Sequence, residues 1–297
     1  MSRTVMLIPI SSDVGASSVT LGVVRAMERK GINVSFFKPV AQPRHRSKQQ
    51  DHTTVMIAQG SNIMPPEPFA LSYAESMISQ GQQDVLLEDI VERVASHMTQ
   101  SSAEIMVIEG LIPNGKHSFI SSLNYDIAKA LDADIVFVTQ PSHETSDELK
   151  NRLELAVSHF GGLANNRIVG CIINKVGAPL DEHGQLRPDL TEMFNPDSPS
   201  ELVLCDRDVV QVLTQSSLPV LGCIPWNPEL VSPRAVDLAR HLNATILNEG
   251  ELYTRRLKTV VFCARALYNQ TNLYRPNSLL VTSGDRADVI VAVCLAA

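Results

Sequence analysis

Two kinds of apolar pattern alternate along this chain. Short runs are apolar throughout, and between them lie segments in which apolar side chains recur every three or four positions. The runs TVMLIPI (4–10), INVSFFKPV (32–40), EIMVIEGL (104–111), ADIVFVTQ (133–140), RIVGCIINKV (167–176) and LPVLGCIPWN (218–227) predict strands buried on both faces, which need no polar alternation. The segments 17–31, 84–98, 123–132 and 146–160 predict helices, the first with a serine start and Gly31 as its stop. Strands joined in this way by helices imply an α/β fold: a parallel sheet with helices on both faces and ligands at the carboxyl ends of the strands.

From Gly177 to about Ser217 the alternation gives way to a polar stretch rich in Asp and Pro, which predicts a long surface excursion. The segment 232–244 then reads as a helix leaving the first unit. A second, partial α/β unit follows with KTVVFCARAL, SLLVTSGDR and ADVIVAVCLAA. The expected division is therefore a first domain over 1–240 and a second over 241–297. The uncapped apolar run VAVCLAA (291–297) would leave apolar surface bare, so a fragment of a longer protein is expected.

Composition narrows the function classes. With 44% hydrophobic and 19% charged residues among 297, the chain has too many apolar side chains for disorder and no apolar run of membrane-spanning length. The opening residues do not resemble a signal peptide, so a cytoplasmic protein is expected. A net charge of −7 argues against a nucleic-acid surface, and only PRHRSK (43–48) is locally basic, as a solvated loop or an anion contact. Cys171, Cys205, Cys223, Cys263 and Cys294 show no metal spacing and read as reduced packing residues. The histidines His45, His52, His117, His143 and His159 are scattered, and no metal site is expected.

The candidate chemistry lies in LIPISSDVGASSVT (7–20), which has the place and shape of a phosphate-binding loop. Such a loop turns backbone N–H groups inward at glycines, neutralises phosphate with a lysine and holds magnesium with a Ser or Thr hydroxyl. Gly15 and Ser17 stand where the second glycine and the hydroxyl belong, but Ala16 replaces the lysine and no glycine precedes Gly15. A weaker anion site on backbone dipoles is one reading, and Ser12 or Ser17 simply capping the helix is the other.

DVGASS after a strand, FKPVAQP, IEGLIP and LPVLGCIPWN together resemble dethiobiotin synthetase and its phosphate-loop relatives. The resemblance places Val14, Gly15 and Ser17 in the loop, Lys38 at a catalytic lysine, Glu109 at a metal-binding acid and Pro225 near an adenine site. The loop lysine falls on Ala16, and LIPNGK replaces the glycine-rich stretch after the Glu-Gly pair. Lys38 is then a ligand contact, or a lysine facing solvent or Glu109. Glu109 is a structural ion pair or a metal acid. Asn174 and Lys175 in INKV resemble the base-recognition stretch of GTPases, without its Asp.

Longer stretches, among them LGVVRAMERKGINVSFFKPVAQP, DHTT, SLNYDIAKALDADIVFVTQ, RAVDLARHLNATILNEG and SLLVTSGDRADVIVAVCLAA, are similar to the amino-terminal region of the long bacterial phosphate acetyltransferases. This resemblance implies a synthetase-like domain followed by the start of a DRTGG domain, with Asp285 and Arg286 in its DR position. It further implies a carboxy-terminal acetyltransferase domain as partner in the same chain, a hexamer, and effectors such as pyruvate or NADH. No residue of this piece is expected to be catalytic and no cofactor is required; a weak nucleotide or metabolite effector is the ligand implied. An ATP-dependent ligase and a ligand-free structural module remain the alternatives.

Overall fold

A computed structural model of the chain describes residues 3–42, 51–114, 117–141, 146–178, 218–264 and 274–296. Two compact units are present, the first made of 1–177 and 201–226, the second of 178–200 and 227–297. The basic run 43–48, the polar stretch 179–217, and Gly115 and Lys116 of LIPNGK lie outside the described residues.

The first unit is built on six strands: β1 (Arg3–Pro9), β2 (Val34–Phe37), β3 (Ile105–Glu109), β4 (Asp134–Thr139), β5 (Ile168–Val176) and β6 (Val220–Pro225). Their order across the sheet is β2-β3-β1-β4-β5-β6, and every pairing is parallel. Alternate residues of β1 to β5 feed opposite cores, whereas the edge strand β6 leaves Leu221 and Ile224 exposed, against the expectation of burial on both faces. Met6, Ile8, Phe37, Met106, Ile108, Ile135 and Phe137 enter one apolar cluster, while Leu7, Phe36, Val107, Val136 and Val138 enter the other. This two-sided burial is why the strand runs show no polar alternation.

The larger cluster is closed by α3 (Leu71–Ser79), α4 (Gln83–Ser101), α5 (Ile120–Ala130) and α6 (Ser146–His159), through side chains such as Met77, Ile90, Ile127 and Leu153. On the opposite face, α1 (Ala16–Arg29) and α2 (His52–Gly60) contribute Val19, Val24 and Ile57. Because all strands run the same way, the carboxyl ends of β1 to β6 open on one edge, and the loops after β1, β2 and β3 meet there.

Two sequence expectations need correction. The first helix has no serine cap: it starts at Ala16 behind Gly15, whose φ of 75° is left-handed, and no side chain caps it. Glycine takes this conformation without the Cβ penalty a serine would carry. Cys223 on β6 is disulfide-bonded, against the reading of all five cysteines as reduced; disulfides follow no spacing rule that a single sequence reveals. Cys171 and Cys263 are buried thiols.

The second unit carries a parallel pair, β7 (Thr259–Phe262) and β8 (Ser278–Val281), in register from Thr259 opposite Ser278. The apolar run 287–296 forms a helix, Ala287–Ala296, with Arg286 held at its start by Asp288 at 2.8 Å. No helix among the described residues is long and apolar enough to cross a membrane.

Candidate functional site

The loop after β1 is held from across the sheet edge. Asp13 and Gly15 both adopt left-handed backbone conformations, so the chain reverses tightly between strand and helix. Asn174, near the end of β5, donates its amide to the Val14 carbonyl at 2.8 Å, and the Lys175 ammonium donates to the Asp13 carbonyl. Asn174 and Lys175 thus hold loop backbone. A Cβ on Gly15 would lie 2.6 Å from Asn174 Nδ2, so the latch as it stands requires a glycine at this position. Ala16, where a phosphate loop has its lysine, is 2% exposed and packs in the α1 core.

Beneath the loop sits a buried ionic cluster. Lys38 follows β2, Glu109 ends β3 and Asp51 caps α2, accepting from the Thr53 and Thr54 backbone N–H groups at 3.0 and 3.2 Å. The Lys38 ammonium lies 3.0 Å from Asp51 Oδ2 and 3.0 Å from Glu109 Oε1. All three side chains are 4% exposed or less. Thr53 Oγ1 donates to Glu109 Oε1 at 3.0 Å, and Ser17 Oγ shares a hydrogen bond of 2.6 Å with Thr53 Oγ1 while standing 3.4 Å from Glu109 Oε1.

Burial alone would push the Lys38 ammonium down, but the Glu109 and Asp51 carboxylates outweigh it and hold its pKa above 10.5. Lys38 is therefore charged at neutral pH. Removing one member of such a cluster leaves an uncompensated buried charge, at a cost of about 3–5 kcal/mol. Glu109 Oε2 is buried with no hydrogen-bond partner.

Side-chain amides fix the surrounding loops. Asn124 on α5 accepts from the Leu111 N–H and donates to the Leu111 carbonyl, both at 2.8 Å. Gln42 clasps Ile112 in the same two-way fashion, at 3.0 and 2.7 Å. Arg152 on α6 reaches back to the loop after β1, donating to Ser11 Oγ at 3.1 Å and to the Gln140 carbonyl at 2.9 Å.

Of the residues singled out in the sequence, Ser17, Lys38 and Glu109 converge in the buried cluster, and Val14, Gly15, Asn174 and Lys175 converge on the loop backbone. Ser12 is exposed. Pro225 is exposed at the end of β6, opposite Val176. Sequence reasoning missed Asp51, Thr53, Gln42 and Arg152 as parts of this edge. For Asp51 a local signal existed, since an Asp followed two and three places on by residues opening a helix is an N-cap pattern.

The resemblance to phosphate-loop enzymes implies magnesium between a loop hydroxyl and an acid. The residues present do not fit it. Both carboxylates are instead spent on the Lys38 ammonium, which lies 3.0 Å from Asp51 Oδ2 and 3.0 Å from Glu109 Oε1. Among the described residues, no group of three or more His, Cys, Asp or Glu side chains is arranged to hold a metal ion.

Comparison with known proteins gives the lineage of this edge. A DRTGG-domain model matches residues 237–297. The chain is 50% identical over 297 residues to a phosphate acetyltransferase of Salmonella typhimurium, covering all of this chain and 41% of the relative. It is 50% identical over 298 residues to the phosphate acetyltransferase of Escherichia coli, again covering 41% of that protein. With the Pseudomonas putida phosphate acetyltransferase the identity is 36% over 295 residues, covering 99% of this chain and 40% of that protein. The chain thus spans about two fifths of the length of these relatives. Residues 3–234, which hold the six-stranded sheet, the latched loop and the ionic cluster, match an AAA-domain family model, and the chain belongs to that family.

Proposed function

We propose that this chain is the regulatory and assembly region of a phosphate acetyltransferase, a cytoplasmic enzyme that interconverts acetyl-CoA plus phosphate with acetyl phosphate plus CoA. Its partner is a carboxy-terminal acetyltransferase domain of the same chain, and the assembled enzyme is a hexamer. The observation that carries this reading is the 50% identity along the whole chain to proteins of that name, over two fifths of their length. The geometry supports a recognising role. With an alanine in place of the loop lysine and Lys38 committed to two carboxylates, no cation among these groups is left to neutralise a transferring phosphate. A regulator needs only different affinities for two states and no bond chemistry. Small metabolites such as pyruvate or NADH are the effectors proposed, with residues of the latched loop edge as the site.

Thermal unfolding of the chain in the presence of pyruvate, phosphoenolpyruvate, ATP or NADH tests this. A ligand at 100 times its Kd stabilises by about 2.7 kcal/mol, enough to raise Tm by a few degrees. The expected result is such a shift with at least one metabolite and no ATP hydrolysis. Magnesium-dependent ATP turnover would instead establish a ligase, and no shift with any of the four would leave a structural module.

A further inference from the structure

The second unit leaves one side of its small sheet bare. In the register of β7 and β8, Val260 lies opposite Leu279 and Phe262 opposite Val281, so these four side chains share one face. Thr259 and Ser278, joined through their hydroxyls at 2.7 Å, share the other with Val261 and Leu280. On the first face Phe262 is 72% exposed, Val260 53% and Val281 40%, and none of the four residues is polar. Parallel strands occur almost only in sheets covered on both faces, and two strands alone are too few to hold a fold in water.

The helix Ala287–Ala296 adds to the bare surface. Past Asp288 its residues are all apolar, which is the composition of a helix buried on every side. Only part of it is buried here: Val289 is enclosed, whereas Ile290, Val291 and Leu295 are exposed together with the Cys294 thiol. Apolar surface of this kind marks an interface. The relatives supply its occupant, because at 50% identity this chain accounts for 41% of their length and the larger share of each lies outside the match.

We propose that the carboxy-terminal part of the longer enzyme packs apolar side chains across the Val260, Phe262, Leu279 and Val281 face and over the exposed side of the helix Ala287–Ala296. The second unit is then a layer completed by that part, and the joint through which the two are coupled. This inference rests on the reading of the chain as a region of a phosphate acetyltransferase.

Thiol labelling read peptide by peptide tests it on two forms, the 297-residue chain and the longer polypeptide. Phe262→Cys reports the sheet face, the natural Cys294 reports the helix, and Gln100→Cys, at an exposed position of α4, is the control. All three should label at similar rates in the short chain. In the longer polypeptide Phe262→Cys and Cys294 should slow by about tenfold or more, as expected for groups reached only through local opening, while Gln100→Cys is unchanged. Acetyl transfer by the longer polypeptide tests the functional reading separately. Activity with unchanged labelling overturns the docking face and leaves that reading standing; slow labelling without activity does the reverse. Slow labelling already in the short chain, with a dimer in sedimentation, would give the face to a second copy and overturn the proposal.

Discussion

Asn174 donates its side-chain amide to the Val14 carbonyl at 2.8 Å, joining the end of β5 to a loop 160 positions earlier in the chain. The bond crosses β4, which lies between β1 and β5 in the sheet. It therefore fixes where the loop stands relative to the strand ends and does not merely close a local turn. Asn174 resembles a base-recognition residue in sequence, yet its donor is engaged by backbone in the fold.

Gly15→Ala should break this arrangement from the other side. The substitution meets a left-handed backbone, costing about 1–2 kcal/mol, and its Cβ would fall 2.6 Å from Asn174 Nδ2. Displacing the latch adds a lost hydrogen bond of about 1 kcal/mol. Urea unfolding should show a loss near the sum of these. Asn174→Ala should cost less in the Gly15→Ala background than alone, because the contact it removes is already broken. Equal costs in both backgrounds would show that the glycine and the latch are independent.

His97 on α4 shares a 2.6 Å hydrogen bond with Ser35 Oγ on β2, and burial lowers its pKa below 6.5. A lowered histidine pKa means the unfolded chain binds the proton more readily, so this stability is complete above pH 6.5 and is lost as pH falls below it. His97→Gln keeps a side-chain hydrogen-bonding group toward Ser35 but does not titrate. Unfolding followed between pH 7 and the mildly acidic range, a window set by the ordinary histidine value, should show a shallower decline for the variant. An unchanged slope would assign the acid sensitivity to other groups.

Much of the sheet was legible because burial on both faces leaves a plain mark: Met6, Leu7 and Ile8 are all buried, and no polar residue interrupts them. The two helices that carried no clear expectation, α2 and α3, are short. Each turns only two residues into the core, and α2 is recognisable chiefly through its Asp51 cap. The site was legible in part. Lys38 and Glu109 stand at strand ends, where position alone marks them. Asp51 and Thr53 enter through a helix start whose tertiary placement no local pattern fixes, and Arg152 reaches the loop from a helix more than a hundred residues away. The serine cap failed for a related reason: the Ser17 hydroxyl has better partners in Thr53 and Glu109 than in its own helix.

Restoring the loop lysine as Ala16→Lys tests what remains of a phosphate site. The alanine is 2% exposed in the core that also holds Leu7, Val19 and Val107, so a lysine must carry its stem past packed side chains before its ammonium reaches the loop. Overpacking of this kind costs about 1–3 kcal/mol, and Tm should fall accordingly. Where the ammonium does reach the loop, its charge and the start of α1 together attract polyphosphate, and weak ATP binding should appear by calorimetry where the parent shows less. Turnover should not follow. Lys38 still lies 3.0 Å from both Asp51 and Glu109, and a metal serving phosphate transfer would have to draw those carboxylates away from its ammonium. Brisk ATP cleavage by Ala16→Lys would mean that Lys38 yields its position readily, and the reading of this edge as a site for recognition would have to be abandoned.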